Sequence, residues 1–277
     1  MPFFRQFPKT VYDFQNAGIG TNITDLFRFV QSDFARVDDI TVYEYYQIKD
    51  GDRPDIVSNE LYGTPEYYWT FFLCNEHLKN GLEQWPMSQQ EFDDYMDAEY
   101  EGTAIITHPY VQWTGDYNVA DAQYIDSLAG KFKVGERVNG NYGGSGLLFK
   151  KDAQLSQLII RDVTGTFRTV EEVVTGADSG DYVSPSAVVP WRDAPHHYVK
   201  ADGTISYDAL YIDEQFQPAG RPDLWIDNPT DVTDPNLTAV SNYAYELDLN
   251  EKRANIRVVR AEEIYRFAQR FKQLLNA

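Results

Sequence analysis

Cysteine and histidine are scarce in this sequence, and their scarcity removes several chemistries at once. Cys74 is the one cysteine, which excludes an intrachain disulfide framework and fits a reducing compartment. It follows the apolar run Tyr67–Tyr68–Trp69–Thr70–Phe71–Phe72–Leu73, where a small buried hydrophobe is expected rather than a reactive thiol. Four scattered histidines and one cysteine cannot fill a zinc signature. His196 and His197 are adjacent, and adjacent side chains on a strand point to opposite faces, so they are not expected to share a metal. Asp223, Asp227, Asp231 and Asp234 lack the spacing, the glycine and the final glutamate of an EF-hand calcium loop. No serine-centred nucleophile elbow and no phosphate-binding loop occurs. Long apolar runs are missing too, since nothing approaches the ~18 residues of a membrane span. The opening Met1–Pro2–Phe3–Phe4–Arg5 has no signal-peptide core. A soluble, cytoplasmically made protein is expected, with no cofactor.

Positive charge is also in short supply. Against 24 Lys and Arg stand 43 Asp and Glu, a net charge of −19. A surface of that sign repels nucleic acid and anionic membrane and suits a basic protein partner. Acid pairs such as Asp93–Asp94 and Glu171–Glu172 are what 43 acids supply by chance. A solvated acidic face is expected there rather than the carboxylate pair of a glycosidase. No catalytic residue is assigned, and the chain reads as a non-enzyme.

What is plentiful is aromatic surface: 20 Tyr, 16 Phe and 5 Trp, 15% of the chain. Tyr and Trp suit surfaces that are wet first and buried later, and a Tyr-rich core is the equal alternative. At 277 residues the chain has room for two or three domains.

Along the chain, residues 1–40 read as an aromatic arm followed by a helix. Asn22 or Thr21 caps that helix, with Ile23, Leu26, Phe27 and Val30 on one face and an end near Phe34–Arg36. Residues 41–50 are β-branched and aromatic, a strand ending at the turn Asp50–Gly51–Asp52. Pro54 opens a helix through Ile56, Val57 and Leu61 that Gly63 stops. Pro65 starts a second, through Tyr68, Trp69, Phe72 and Leu73, ending near Asn75. Ser88 with Glu91 forms a capping-box pattern for a third helix running to about Tyr100.

From 103 to 195 the texture turns to β, with an internal repeat. Gly130–Lys131–Phe132 recurs as Gly165–Thr166–Phe167, and Gly135–Glu136–Arg137–Val138–Asn139–Gly140 recurs as Glu171–Glu172–Val173–Val174–Thr175–Gly176. Gln157–Val163 between the copies is strand-like. Two copies of strand–turn–strand suggest a small antiparallel barrel or sandwich. In 196–277, a hairpin is expected around Ala201–Asp202–Gly203. An extended loop follows from Gln217 to Asn236, then a strand Asn255–Arg260. The last segment is a helix with Ile264, Phe267, Ala268, Phe271, Leu274 and Leu275 on one face. That face needs a dock, in its own core or on another subunit.

Two stretches go further than generic physics. Tyr45–Tyr46–Gln47–Ile48–Lys49–Asp50–Gly51–Asp52, with Leu61–Tyr62–Gly63, Trp69 and Asn75, resembles a LysM module, a strand–helix–helix–strand unit. Arg53–Pro54 replaces the small hydroxyl residue and Leu usual after Gly-Asp, and no closing strand is evident after Trp85–Pro86. Combined with Tyr245–Val259 and the terminal helix, the chain is similar to the LysM-like baseplate wedge subunits of T-even-type contractile-tail bacteriophages. The match covers roughly residues 1–100 and 196–277, with the repeat region as an insertion. The resemblance implies an α+β fold: a LysM-like module (41–102), an inserted antiparallel β domain (103–195) and a C-terminal strand–helix (within 196–277).

The same resemblance implies a virion protein assembled in the host cytoplasm. It would clamp neighbouring wedges in a multi-copy assembly and touch the wedge core and the sheath-initiating subunit. Its interface candidates are Ile264, Phe267, Phe271, Leu274, Leu275, Phe3, Phe4, Tyr68 and Trp69. The alternative that LysM likeness implies is binding of N-acetylglucosamine chains of the cell wall, through Asp50, Gly51, Asp52, Arg53 and Asn75.

Overall fold

The computed structural model describes residues 7–14, 18, 20–25, 42–107, 112–113, 122–123, 132–152, 155–169, 171–206 and 238–276. The fold mixes helices with small antiparallel sheets, an α+β architecture. The chain forms two compact units, Met1–Phe92 with Asp248–Ala277, and Asp93–Leu247.

The first unit opens with a hairpin of β1 (Lys9–Tyr12) and β2 (Thr21–Thr24), paired from Lys9↔Thr24 to Tyr12↔Thr21. This corrects the expected helix start, because Thr21 and Asn22 lie in a strand. The β-branched Thr21, Ile23 and Thr24, paired with a strand that carries Thr10 and Val11, suit a pleated ladder, and ladder pairing overrides the capping signal. Gly18, at φ +74°, gives its N–H to Asp13 Oδ2 at 2.6 Å and shapes the turn. Leu26, Phe27, Val30, Phe34 and Arg36 lie outside the described residues.

Next comes β3 (Tyr43–Gln47), then α1 (Pro54–Tyr62) and α2 (Trp69–Cys74), with a 3-10 turn at Pro65–Tyr67 between the helices. Pro54 sits at the start of α1, and Gly63 ends it in the left-handed region at φ 70°, its N–H bonded to Asn59 O at 2.9 Å. The corner between the helices is pinned by Ser58, whose hydroxyl donates to Thr64 O and accepts from Tyr67 N. Two further 3-10 turns lead to α3 (Gln89–Glu99). The capping box is formed there: Glu91 accepts from the N–H and hydroxyl of Ser88, and Ser88 Oγ accepts from Glu91 N.

In the second unit, β4 (Thr103–Thr107) is followed by a short pair, β5 (Gln112–Trp113) and β6 (Ala122–Gln123). Then come β7 (Arg137–Gly140), β8 (Ser145–Asp152), β9 (Gln157–Thr164), β10 (Val174–Gly176), β11 (Tyr182–Val183) and β12 (Pro185–Pro190). These join in the order β11-β10-β7-β8-β9-β4-β12. Only Ser184 separates β11 on one edge from β12 on the other, so one continuous segment closes the sheet into a barrel. Its interior is Ile105, Phe132, Val138, Leu148, Leu158, Ile160, Phe167, Val174 and Val183.

The internal repeat is written into this barrel as a local twofold. Strands β7 and β10 pair antiparallel with Val174↔Gly140, Thr175↔Asn139 and Gly176↔Val138, so equivalent residues exchange partners about the central pair. The flanking bonds obey the same symmetry: Asn141 N donates to Val173 O and Ala177 N to Arg137 O. Phe132 and Phe167 are both buried.

A three-stranded sheet completes this unit, β14-β13-β15, made of β13 (Pro195–Val199), β14 (Ile205–Ser206) and β15 (Thr238–Ser241). The expected hairpin is β13–β14, turning at Gly203 with φ 83°. The segment Gln217–Asn236 lies outside the described residues. The chain then runs through α4 (Asn242–Ala254), β16 (Asn255–Val259) and α5 (Ile264–Asn276). β16 pairs antiparallel with β3, from Asn255↔Gln47 to Val259↔Tyr43. The strand missing after Trp85–Pro86 is therefore supplied from the far end of the chain.

Candidate interaction surfaces

The C-terminal helix is docked at home. Ile264, Phe267, Phe271 and Leu275 are buried with Tyr43, Trp69, Cys74 and Val259 in one cluster. The rings of Trp69 and Phe271 are 4.6 Å apart. This corrects the expectation that these side chains, with Trp69, meet a partner: their faces are already covered. Of the candidates, Leu274 remains 42% exposed and Tyr68 half-buried, while Phe3 and Phe4 lie outside the described residues. The Cys74 thiol is pushed up to about 12 by burial, which makes it an inert packing group as expected.

Asn75 is equally committed. Its amide donates to Phe71 O at 2.8 Å and Arg257 O at 2.9 Å, and its Oδ1 accepts from Arg257 N at 2.8 Å. The side chain thus stands in for a neighbouring strand along the outer edge of β16 and is not available to a sugar. Farther along that edge, Tyr62 donates to Val259 O. The turn at Asp50–Gly51–Asp52, with Gly51 at φ 75°, is used structurally as well. Asp50 Oδ1 accepts from Gln89 N and Asp52 O from Trp85 Nε1. Arg53 pairs with Asp55 at 3.2 Å on the surface.

Beside this turn lies a cleft of about 640 Å³ whose lining includes Tyr68, Leu82, Trp85 and Met87, with Glu83 and Glu91. Leu82 is 71% exposed there. A second cavity of about 500 Å³, in the other unit, is lined by Tyr100, Phe149, Asp152, Trp191, His196 and Asn242 among others.

His196 and His197 depart from expectation. A register shift between Pro195 and His197 against Ser241 and Val240 breaks the alternation of β13. Such a bulge turns successive side chains to the same side. The two Nδ1 atoms come within 2.9 Å, one donating and the other accepting, and His196 stacks on Tyr245 at 3.8 Å. Burial, with His197 next to it, lowers the His196 pKa from its ordinary value. Among the described residues no group of three or more His, Cys, Asp or Glu is placed to hold a metal. Among them, too, no helix is long and apolar enough to cross a membrane.

Two buried carboxylates of the barrel were missed by sequence reasoning, which read Glu171–Glu172 as solvated. Glu136 accepts from Lys133 N, Asp178 N, Ser179 N and Ser179 Oγ. Glu172, its equivalent in the repeat, accepts from Arg168 N and Tyr142 N. Lys133 corresponds to Arg168, and Asp178 to Tyr142, so each acid ties its own loop to the other copy's. Burial pushes the Glu136 carboxyl up, but these donors together outweigh it and hold it below the ordinary glutamate value. The signal was available in the pattern, as an acid recurring at fixed distance from a recurring glycine.

Among the described residues, the outer edge of β3 is unpaired at Tyr45. Ile48 N donates to Ala254 O and Arg260 N to Val42 O, so in β3 the backbone of alternate residues 44 and 46 faces β16 and that of Tyr45 faces away. Among the described residues nothing pairs with the Tyr45 backbone, and its side chain is 80% exposed.

Comparison with known proteins adds two findings. Residues 3–114, less than half of the chain, match the family described as Base plate wedge protein 53. Over 55 residues the chain is 34% identical to "Baseplate wedge protein gp53" of Enterobacteria phage T4. That stretch is 20% of this chain and 28% of the relative's length.

Proposed function

We infer that this chain is a T4-type baseplate wedge subunit, a structural component of a phage tail that belongs to the virion's baseplate and touches other baseplate proteins. The match of residues 3–114 carries the reading. It covers β3, α1 and α2, which lie in the first unit with β16 and α5. The finer role is to clamp neighbouring wedge subunits during assembly in the host cytoplasm, against the wedge core and the sheath-initiating subunit. Such a role asks for surface rather than reaction chemistry. The cleft beside Trp85, the exposed Leu82 and the open edge at Tyr45 lie on the unit that the match covers. A net charge of −19 favours basic neighbours.

The test is sedimentation of the purified chain mixed with the other wedge proteins of its phage. A complex of fixed stoichiometry is expected. A chain that sediments alone in every mixture overturns the assignment.

A further inference from the structure

The two edges of the β3–β16 ribbon are treated differently. Along β16, the outward N–H and C=O of Arg257 are taken by Asn75, and Val259 O by Tyr62. Along β3, no described residue takes the outward N–H and C=O of Tyr45, which lie beneath an exposed ring. An unpaired edge is a template for another strand, and folded proteins ordinarily blunt it with lysine, proline, a bulge or a cover. β3 reads Tyr-Glu-Tyr-Tyr-Gln and carries none of the first three.

We propose that the outer edge of β3 receives an extended basic segment of a neighbouring chain as an added strand. The inference rests on the baseplate reading only for the source of that segment.

Side chains alternate along the edge, and the two faces ask for different chemistry. Tyr45 shares its face with Arg257 across the ribbon. A strand residue set opposite Tyr45 would pack on its ring, which suits a β-branched or aromatic side chain. Glu44 and Tyr46 point to the other face, where Tyr46 donates to Glu60 and Lys49 also pairs with Glu60. Glu44 is exposed there, so the strand residue beside it is best cationic. A second copy is the weaker occupant, because two chains of −19 repel. Main-chain bonds to Tyr45 supply affinity, and the alternation supplies selectivity.

The experiment uses the full chain, isotope-labelled, with amide exchange read at Tyr45. The probe is a capped Lys-Val-Lys-Val-Lys-Val peptide, with Asp-Val-Asp-Val-Asp-Val as control. The basic probe should saturate and slow exchange at Tyr45 by about tenfold or more, and the acidic one should not. Tyr45→Pro removes the outward N–H without removing a ladder bond and should abolish saturable binding of the basic probe, read by titration of the shifts at Glu44 and Tyr46. Tyr45→Val keeps the donor and should retain it, and Glu44→Lys should reverse the preference between the probes. Unchanged exchange at Tyr45 under saturating probe, or a Tyr45→Pro chain that binds as well as the native one, overturns the proposal. A concentration-dependent dimer lost in Tyr45→Pro overturns the choice of occupant.

In a second arm the chain is mixed with the wedge proteins of its phage. Assembly with Tyr45 still exchanging as in the free chain sinks the edge and leaves the baseplate reading standing. Slowed exchange with the basic probe, but no assembly, does the reverse.

Discussion

Asn75 ties α2 to β16 through three side-chain bonds, all of them to backbone. Asn75→Ala leaves the N–H and C=O of Arg257 and the carbonyl of Phe71 without it. Each buried group so stranded costs about 1–3 kcal/mol, so a loss of about 2–4 kcal/mol is expected after partial hydration. Urea denaturation followed at the first unit's tryptophans checks it, and a loss under about 0.5 kcal/mol, the range of ordinary surface changes, would contradict the bridging role.

Glu136 makes a second prediction at the same scale. Its folded pKa lies below the ordinary 4.5, so its contribution is fully present above that value and is lost as pH falls through the folded one. The barrel should therefore weaken on acidification past the ordinary glutamate range. Glu136→Gln should be less stable at neutral pH and should lose part of that acid dependence, as read by denaturation at a series of pH values.

Among elements, the repeat is the most informative. A Cβ on Gly140 would collide with Glu172 Oε1, and one on Gly176 would lie 2.7 Å from both oxygens of Glu136. At Gly140 the carboxylate of the opposite copy requires glycine, and at Gly176 the Ser179 hydroxyl, which an added Cβ would strike, requires it together with the Glu136 carboxylate. Gly140→Ala should displace Glu172, strand the N–H groups of Arg168 and Tyr142, and cost about 1–3 kcal/mol. In a double-mutant cycle with Glu172→Ala the two losses should not add, and additivity would sink the coupling.

The capping box at Ser88 and the apolar face of α5 were legible, because each is a local pattern with a local cause. The repeat was visible too, but its buried acids were missed, Glu172 being read as solvated, because their partners come in part from the other copy. The barrel was named only as one of two options. Choosing it needs β11 and β12 to be seen as one segment reaching both edges, which is a property of pairing. Pairing also decides the hairpin where a helix was expected at Thr21, and the β3–β16 ribbon, whose Asn75–Arg257 bonds join residues 182 apart. At His196–His197 a bulge breaks the alternation that two adjacent strand residues would otherwise show, and nothing in the local pattern marks it. For the candidate interface, the apolar stripe of α5 was read correctly as buried surface, and the sequence carried no mark of whose core it entered.

At the scale of the molecule, each unit has a core of its own. Phe267 and Phe271 pack with Trp69 and Tyr43 in the first, and Phe132, Leu148 and Phe167 fill the barrel of the second. Units with separate cores unfold as separate cooperative blocks unless an apolar interface couples them. Scanning calorimetry should then resolve two transitions. Phe271→Ala removes a buried ring at a cost of about 3–5 kcal/mol and should lower one of them. Glu136→Gln should lower the other, and each should leave its neighbour in place. Independence of this kind lets one unit melt and refold without loosening the other. If both variants shift a single shared transition, the units are one cooperative body and the separation of the cores does not divide the unfolding.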